Sequence, residues 1–259
     1  MFEFKKHITK ELKELWEADE KIHTFWEGGS VATGFDDEYS DLDAALICDD
    51  DYVEVVFKKT EKYLSEIYGI QEKFRVPEPC WHGHSQSFYL LEDSPMFFYI
   101  DLFVQKLSAG NRLMESNRHG TSYVWFDKKN LMDDTPIPEE EYEDKVLKKL
   151  KFFKDSFFIS KIELEKQVFR SREVDALDGY YKMIIGRLAF LFNVKNRPAK
   201  FDFGLLYSYR EWPKEDHEFV KELLYVKDID DLKNKSKKVL KKVEKLTTQL
   251  LERWGTTQQ

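Results

Sequence analysis

A chain of 259 residues, 42% of them hydrophobic and 15% aromatic, has the material for one large core or two smaller ones and is not a disordered composition. Its net charge of −8 argues against a long nucleic-acid backbone as the main partner. No stretch approaches the roughly 18 uninterrupted apolar residues of a membrane span, so no membrane partner is expected. The two cysteines, Cys48 and Cys80, are too few for a disulfide framework. Together with a charged, amphipathic N-terminus unlike a signal peptide, they point to the cytoplasm.

In chain order, Phe4, Ile8, Leu12, Leu15 and Trp16 recur at helical spacing and predict a helix over 4–20. The run IHTFWE predicts a strand that stops at Gly28-Gly29, where Ser30 is placed to cap a short helix. DEYSDLD then leads into AALIC, a second strand that ends at Asp49-Asp50-Asp51. YVEVVFKKTEKYLSEIYG reads as a helix closed by Gly69. Two aromatic and branched runs, HSQSFYLLED and MFFYIDLFVQ, predict a hairpin, and SYVWFD a further strand or strand edge. MDDTPIPEEEYED, with Pro136 and Pro138, is the linker candidate.

Beyond the linker the pattern is helical. One long helix is predicted over EDKVLKKLKFFKDSFFISKIELEKQ and another over REVDALDGYYKMIIGRLAFLFNVK. A last helix carries Val239, Val243, Leu246, Leu250 and Trp254 on one face, as in a bundle. Charge follows the same division: 18 Lys+Arg against 32 Asp+Glu in residues 1–150, and 23 against 17 in 151–259. An acidic half joined to a basic half fits a cleft with a metal on one wall and phosphates on the other, and equally two solvated surfaces of opposite bias.

The chemistry is concentrated in GGSVATGFDDEYSDLDAALI, residues 28–47. Residues i and i+2 of a strand point the same way, so Asp41 and Asp43 present two carboxylates to one side. Such a pair repels itself and calls for a cation between its members. Magnesium commonly takes one or two carboxylates together with phosphate oxygens. A pair of such ions about 4 Å apart can activate an attacking oxygen and stabilise a leaving one. Gly28, Gly29 and Ser30 suit a phosphate approached by backbone amides and a hydroxyl.

This stretch resembles the nucleotidyltransferase signature of the DNA polymerase β-like superfamily, and GFDDEYSDLD within it is most similar to the bacterial aminoglycoside and lincosamide adenylyltransferases. The resemblance is specific over residues 22–47, supportive to residue 105 and thin beyond. It implies an α+β fold, with a mixed β-sheet and flanking helices in an N-terminal nucleotidyltransferase domain over 1–140. An all-helical bundle over 141–259 would close the active-site cleft. It further implies two Mg2+ ions and a nucleoside triphosphate, ATP in the leading case, whose nucleoside monophosphate passes to a hydroxyl of a small-molecule acceptor. The family's third carboxylate maps to Asp101, set in the apolar run FFYIDLFVQ. Asp41, Asp43 and Asp101 are thereby implied as the catalytic and metal-binding set, with Gly28, Gly29 and Ser30 on the nucleotide.

Arg170, Arg172 and Lys182, near the start of the helix predicted over 172–194, are candidates for contact with the triphosphate. Ordinary charged helix faces account for them as well. Trp81, His82, Tyr89 and Phe98 are candidates for an acceptor pocket or for core. Cys80, His82 and His84 form too small a set for a structural zinc. A homodimer is compatible with the sequence. The competing readings are the same chemistry on a protein or tRNA acceptor, and a nucleotide-binding regulatory module without catalysis.

Overall fold

The computed structural model describes residues 2–255. The chain divides into two compact units, Met1–Ile137 and Pro138–Gln259. The first holds six strands: β1 (Ile22–Glu27), β2 (Leu42–Cys48), β3 (Ile70–Arg75), β4 (Ser85–Leu91), β5 (Ile100–Lys106) and β6 (Tyr123–Asp127). Its helices are α1 (Phe2–Glu17), α2 (Gly29–Thr33), α3 (Val53–Ile67) and α4 (Ser116–His119).

The strands form one mixed sheet in the order β3-β4-β5-β2-β1-β6. Only β2 and β5 pair in parallel, and the chain between them passes through α3, β3 and β4. β3 was not singled out from the sequence. It is an exposed edge strand of composition IQEKFR, so it has no buried face to print a period of two, and its charged side chains protect the open edge.

One face of this sheet carries the core. Leu42, Ala44 and Leu46 of β2 and Ile100, Leu102 and Val104 of β5 pack with Ile8, Leu12 and Trp16 of α1 and Val56, Phe57 and Leu64 of α3. The apolar stripe at i, i+4 and i+8 of α1 is therefore what makes it a helix that docks rather than a free one. Trp16 is fully buried; its ring lies edge-on to Phe25 at 4.8 Å, and its indole N–H donates to Thr60 Oγ1 at 3.0 Å. The alternate residues of β2 and β5, Asp43 and Ala45, Asp101 and Phe103, necessarily face the other way. That opposite face holds a smaller cluster of Trp26, Ala45, Ile47 and Met114.

The α3 helix ends as its sequence predicts, with Gly69 just past it at φ +71°. At the other glycine-rich site the expectation is corrected. α2 begins at Gly29 with Gly28 as its N-cap, and no side chain caps it. Ser30 lies inside the first turn, because the helix starts two residues earlier than a serine cap at position 30 would set it.

The second unit contains α5 (Glu140–Phe169), α6 (Glu173–Gly179), α7 (Gly186–Asn196), α8 (Ser208–Glu211), α9 (Lys214–Leu224) and α10 (Ile229–Gly255). The stripe Val239, Val243, Leu246, Leu250 and Trp254 of α10 is buried as its spacing predicts. The single helix predicted over 172–194 is instead α6 and α7 joined by a π-helical segment, Tyr180–Ile185, bracketed by Gly179 and Gly186. Tyr180 explains why the wide turn is held: it is fully buried and its hydroxyl donates to the Leu223 carbonyl at 3.0 Å. Arg187 of α7 is buried with its guanidinium satisfied by the Phe153 carbonyl, Ser156 and Ser160 at 3.1, 3.0 and 2.8 Å. No helix among the described residues is long and apolar enough to cross a membrane.

Trp16 fastens α1 to the sheet through both area and a hydrogen bond. Trp16→Ala is expected to lower the unfolding free energy by about 3–5 kcal/mol, as for other buried tryptophans truncated to alanine. Urea unfolding followed by far-UV circular dichroism measures it.

Candidate active site

The parallel pairing of β2 with β5 sets Asp43 opposite Asp101, Cα against Cα. The pairing opens with the Leu42 N–H donating to the Tyr99 carbonyl at 3.1 Å, and runs without a break to Cys48 and Lys106. Two carboxylates thus sit side by side on the face that the core does not use. Asp41 stands just before β2 and accepts a hydrogen bond from the Tyr99 hydroxyl.

The Gly-Gly turn closes over Asp43. Gly28 N–H donates to the Asp43 carbonyl at 3.0 Å. Gly29 has φ +52°, and a Cβ built on it would lie 1.7 Å from Asp43 Oδ2. The position requires glycine twice over, for its left-handed backbone and for the space that the carboxylate fills. Ser30 is turned to another partner: its hydroxyl donates to Asp36 Oδ1 at 3.3 Å, and Asp36 also accepts from Lys5 at 2.7 Å.

These elements line a cleft of about 410 Å³, which includes Gly28, Gly29, Asp43, Asp101, Gln86 and Arg112. Trp81 and His82 also line it, as their candidacy for a pocket anticipates. Tyr89 and Phe98, which shared that candidacy, are fully buried in the core under α1 and α3. Gln86 and Arg112 were not found from the sequence. For Gln86 there was a faint signal, a polar residue at the strand position from which the period of two leads to Phe88 and Leu90.

Electrostatics mark the same place. The Asp43 carboxyl is pushed up to about 7, first by burial, then by the neighbouring carboxylates Asp41 and Asp101, with Lys5 opposing. Asp101 is pushed up to about 6 by burial, against a hydrogen bond from Gln86 that favours its ionised form. Glu27 at the end of β1 is also raised by burial, although Trp125 donates to it at 2.8 Å and Lys5 lies 3.8 Å away. Asp43 and Asp101, both raised and both lining the cleft, make it the candidate functional site.

The donor set fits a divalent cation. It offers hard oxygen ligands, and the mutual repulsion recorded in the raised acids is what a cation would relieve. The three aspartates do not close into a ready-made cage: among the described residues no three His, Cys, Asp or Glu side chains are arranged to hold a metal. Magnesium does not need such a cage, since it takes one or two carboxylates and completes its shell from phosphate and water. The same finding covers Cys80, His82 and His84: the Cys80 thiol lies 3.4 Å from the His82 ring and donates to the His84 carbonyl at 2.9 Å.

Arg170 and Lys182 belong to the second unit. Arg170 is exposed at the C-cap of α5, and Lys182 pairs with Asp178 at 2.7 Å. Lys195 and Lys200, near the end of α7, are likewise paired, with Asp216 at 2.6 Å and Glu211 at 2.7 Å.

Residues 5–94 match the family model for the nucleotidyltransferase domain, and the in-register aspartates and the Gly-Gly turn lie within or just beyond that span. Residues 5–94 of the first unit therefore carry a nucleotidyltransferase domain. The chain is accordingly a nucleotidyltransferase-class enzyme. Among solved structures, an aminoglycoside 6-adenyltransferase from Bacillus subtilis aligns over 93% of this chain and 91% of that chain, at 13% identity and a TM-score of 0.33. A likeness at that level carries no argument about function. No curated protein matches the chain.

Two predictions follow from the geometry at Gly29 and Asp43. Gly29→Ala would force the Asp43 carboxylate aside and strain the backbone by about 1–2 kcal/mol. The expected result is a modest loss of thermal stability and a loss of magnesium-dependent nucleotide binding by at least tenfold, read by titration calorimetry. Asp43 holds its proton to about 7 in the fold but ionises near 3.8 when unfolded. Its contribution to stability is therefore full below pH 4 and is lost as pH rises to 7. In a chelator, Asp43→Asn should melt a few degrees above wild type at pH 8, and the gap should close toward pH 4. An equal gap at both pH values would contradict the assignment.

Proposed function

We propose that the protein transfers a nucleoside monophosphate, AMP from ATP, to a hydroxyl group of a small molecule, with magnesium. The observation that carries this reading is the in-register pair Asp43 and Asp101 beneath the Gly28-Gly29 turn, within a nucleotidyltransferase domain. Asp43 and Asp101, with Asp41 at the strand's start, would hold the metal. Bound there, magnesium supplies positive charge to the phosphates and lowers the barrier to ionising the attacking hydroxyl.

The chain's own groups do the rest. Gly28 and Gly29 keep side chains away from the cleft wall, so that backbone can approach phosphate. The cleft walls hold the acceptor hydroxyl in line with the α-phosphorus, and most of the rate comes from such positioning. The acceptor oxygen forms a bond to the α-phosphorus while the bond from that phosphorus to the bridging oxygen breaks. Pyrophosphate leaves with the electron pair, and the hydroxyl proton passes to a base or to water.

An aminoglycoside- or lincosamide-like acceptor is supported by the GFDDEYSDLD motif and by the acidity of the first 150 residues, which favours a cationic ligand. The two free cysteines suit a protein of the cytoplasm.

The decisive test is release of pyrophosphate from each of ATP, GTP, CTP and UTP, with magnesium, across a panel of aminoglycosides and lincosamides. The expected result is acceptor-dependent release, cut by at least a thousandfold in Asp43→Ala and in Asp101→Ala. Full activity in either variant would overturn the site. Triphosphate that binds with magnesium but never turns over would favour a regulatory module, and turnover only with tRNA would move the acceptor to that class.

A further inference from the structure

The two paired carboxylates are held differently. The Asp43 carboxylate fills the space that Gly29 leaves open. Asp101 has a dedicated partner. Gln86 lies on β4, which runs antiparallel to β5, and its Cα pairs with Phe103. Asp101 is two residues from Phe103 on the same strand and therefore on the same face. From there Gln86 Nε2 reaches both Asp101 oxygens, at 2.8 and 2.9 Å. An ionised carboxylate only accepts, so the NH2 end of the amide must be the one that faces it.

This contact has two physical consequences. One donor shared between both oxygens fixes the plane of the carboxylate and leaves lone pairs on each oxygen for another ligand. Its support is also rigid: Ser85 and Ser87, on either side of Gln86, are buried, so the glutamine is presented by a packed strand rather than a loop.

We propose that Gln86 is a positioning residue for the metal: it orients Asp101 beside Asp43, so that the carboxylate pair takes up a divalent cation with little rearrangement. This deepens the nucleotidyl-transfer reading and rests on it. Groups that hydrogen-bond to metal ligands and orient them are commonly worth ten- to a hundredfold in metal affinity.

Manganese alone is the probe. Its binding is followed by loss of the free-ion electron paramagnetic resonance signal in wild type, Gln86→Met, Gln86→Ser and Asp43→Asn. Titration calorimetry of ATP at saturating metal and melting in a chelator accompany it. The expected result is a half-saturating manganese concentration raised tenfold or more in both Gln86 variants. ATP affinity at saturating metal should stay within threefold of wild type, and the melting temperature within a few degrees. Unchanged manganese affinity in a folded Gln86 variant, with binding lost in Asp43→Asn, would overturn this inference and leave the nucleotidyl-transfer reading intact. Parallel loss of ATP binding at saturating metal and of thermal stability would assign Gln86 a merely structural role and overturn the inference too. A wild type that binds neither manganese nor ATP with magnesium would overturn both.

Discussion

The site depends on one pairing, the unbroken parallel register of β2 with β5 that sets Asp43 against Asp101. A slip of one residue in β2 would turn Asp43 into the core and Leu42 or Ala44 into the cleft. The register is fixed from the other side of the sheet. Leu42, Ala44, Leu46, Ile100, Leu102 and Val104 are all essentially buried beneath α1 and α3. The hydrophobic face thus decides where the carboxylates stand, and the carboxylates contribute nothing to that decision.

This division explains how the fold tolerates a destabilising site. Three aspartates and Glu27 share one end of the sheet, and two of them are raised well above the ordinary carboxylate range. Burial of unpaired acids opposes folding at neutral pH. The opposing work is done by apolar area on the far face, by Trp16 and by the packed stripe of α1. A cation bound between the carboxylates, as proposed, would relieve that conflict.

Much of this was legible in the sequence, for physical reasons that differ by element. Asp43 stood out because carboxylates are rare in apolar strands, and a period of two fixes their direction. Asp101 stood out for the same reason. Gly29 could be suspected from its neighbours, but its necessity lies in the carboxylate of Asp43, fourteen positions away, which fills the space a Cβ would take, and no local pattern encodes that. Ser30 was legible as polar and as close to a helix start; its bond to Asp36 belongs to the folded turn. The edge strand β3 and the π-helical segment after α6 lay below the signal. The first lacks a buried face, and the second depends on where the Tyr180 hydroxyl finds its carbonyl.

Gln86 shows where reading a chain residue by residue reaches its end. Glutamine is a common surface residue, and its place on the strand face of Phe88 and Leu90 is only a faint mark against a solvated position. Its meaning comes from three strands at once: β2 brings Asp43, β5 brings Asp101 in register, and β4 brings an amide to both oxygens of Asp101. The same sheet that buries one face to fold therefore arranges the other in sequence from donor to acceptor: amide, carboxylate, carboxylate, then the glycine turn. Adjacent strands about 4.8 Å apart set that spacing without help from any loop. A site whose separations are dictated by hydrogen-bonded strands is preorganised by the backbone, and the rigidity that catalysis by positioning requires is then a property of the fold itself.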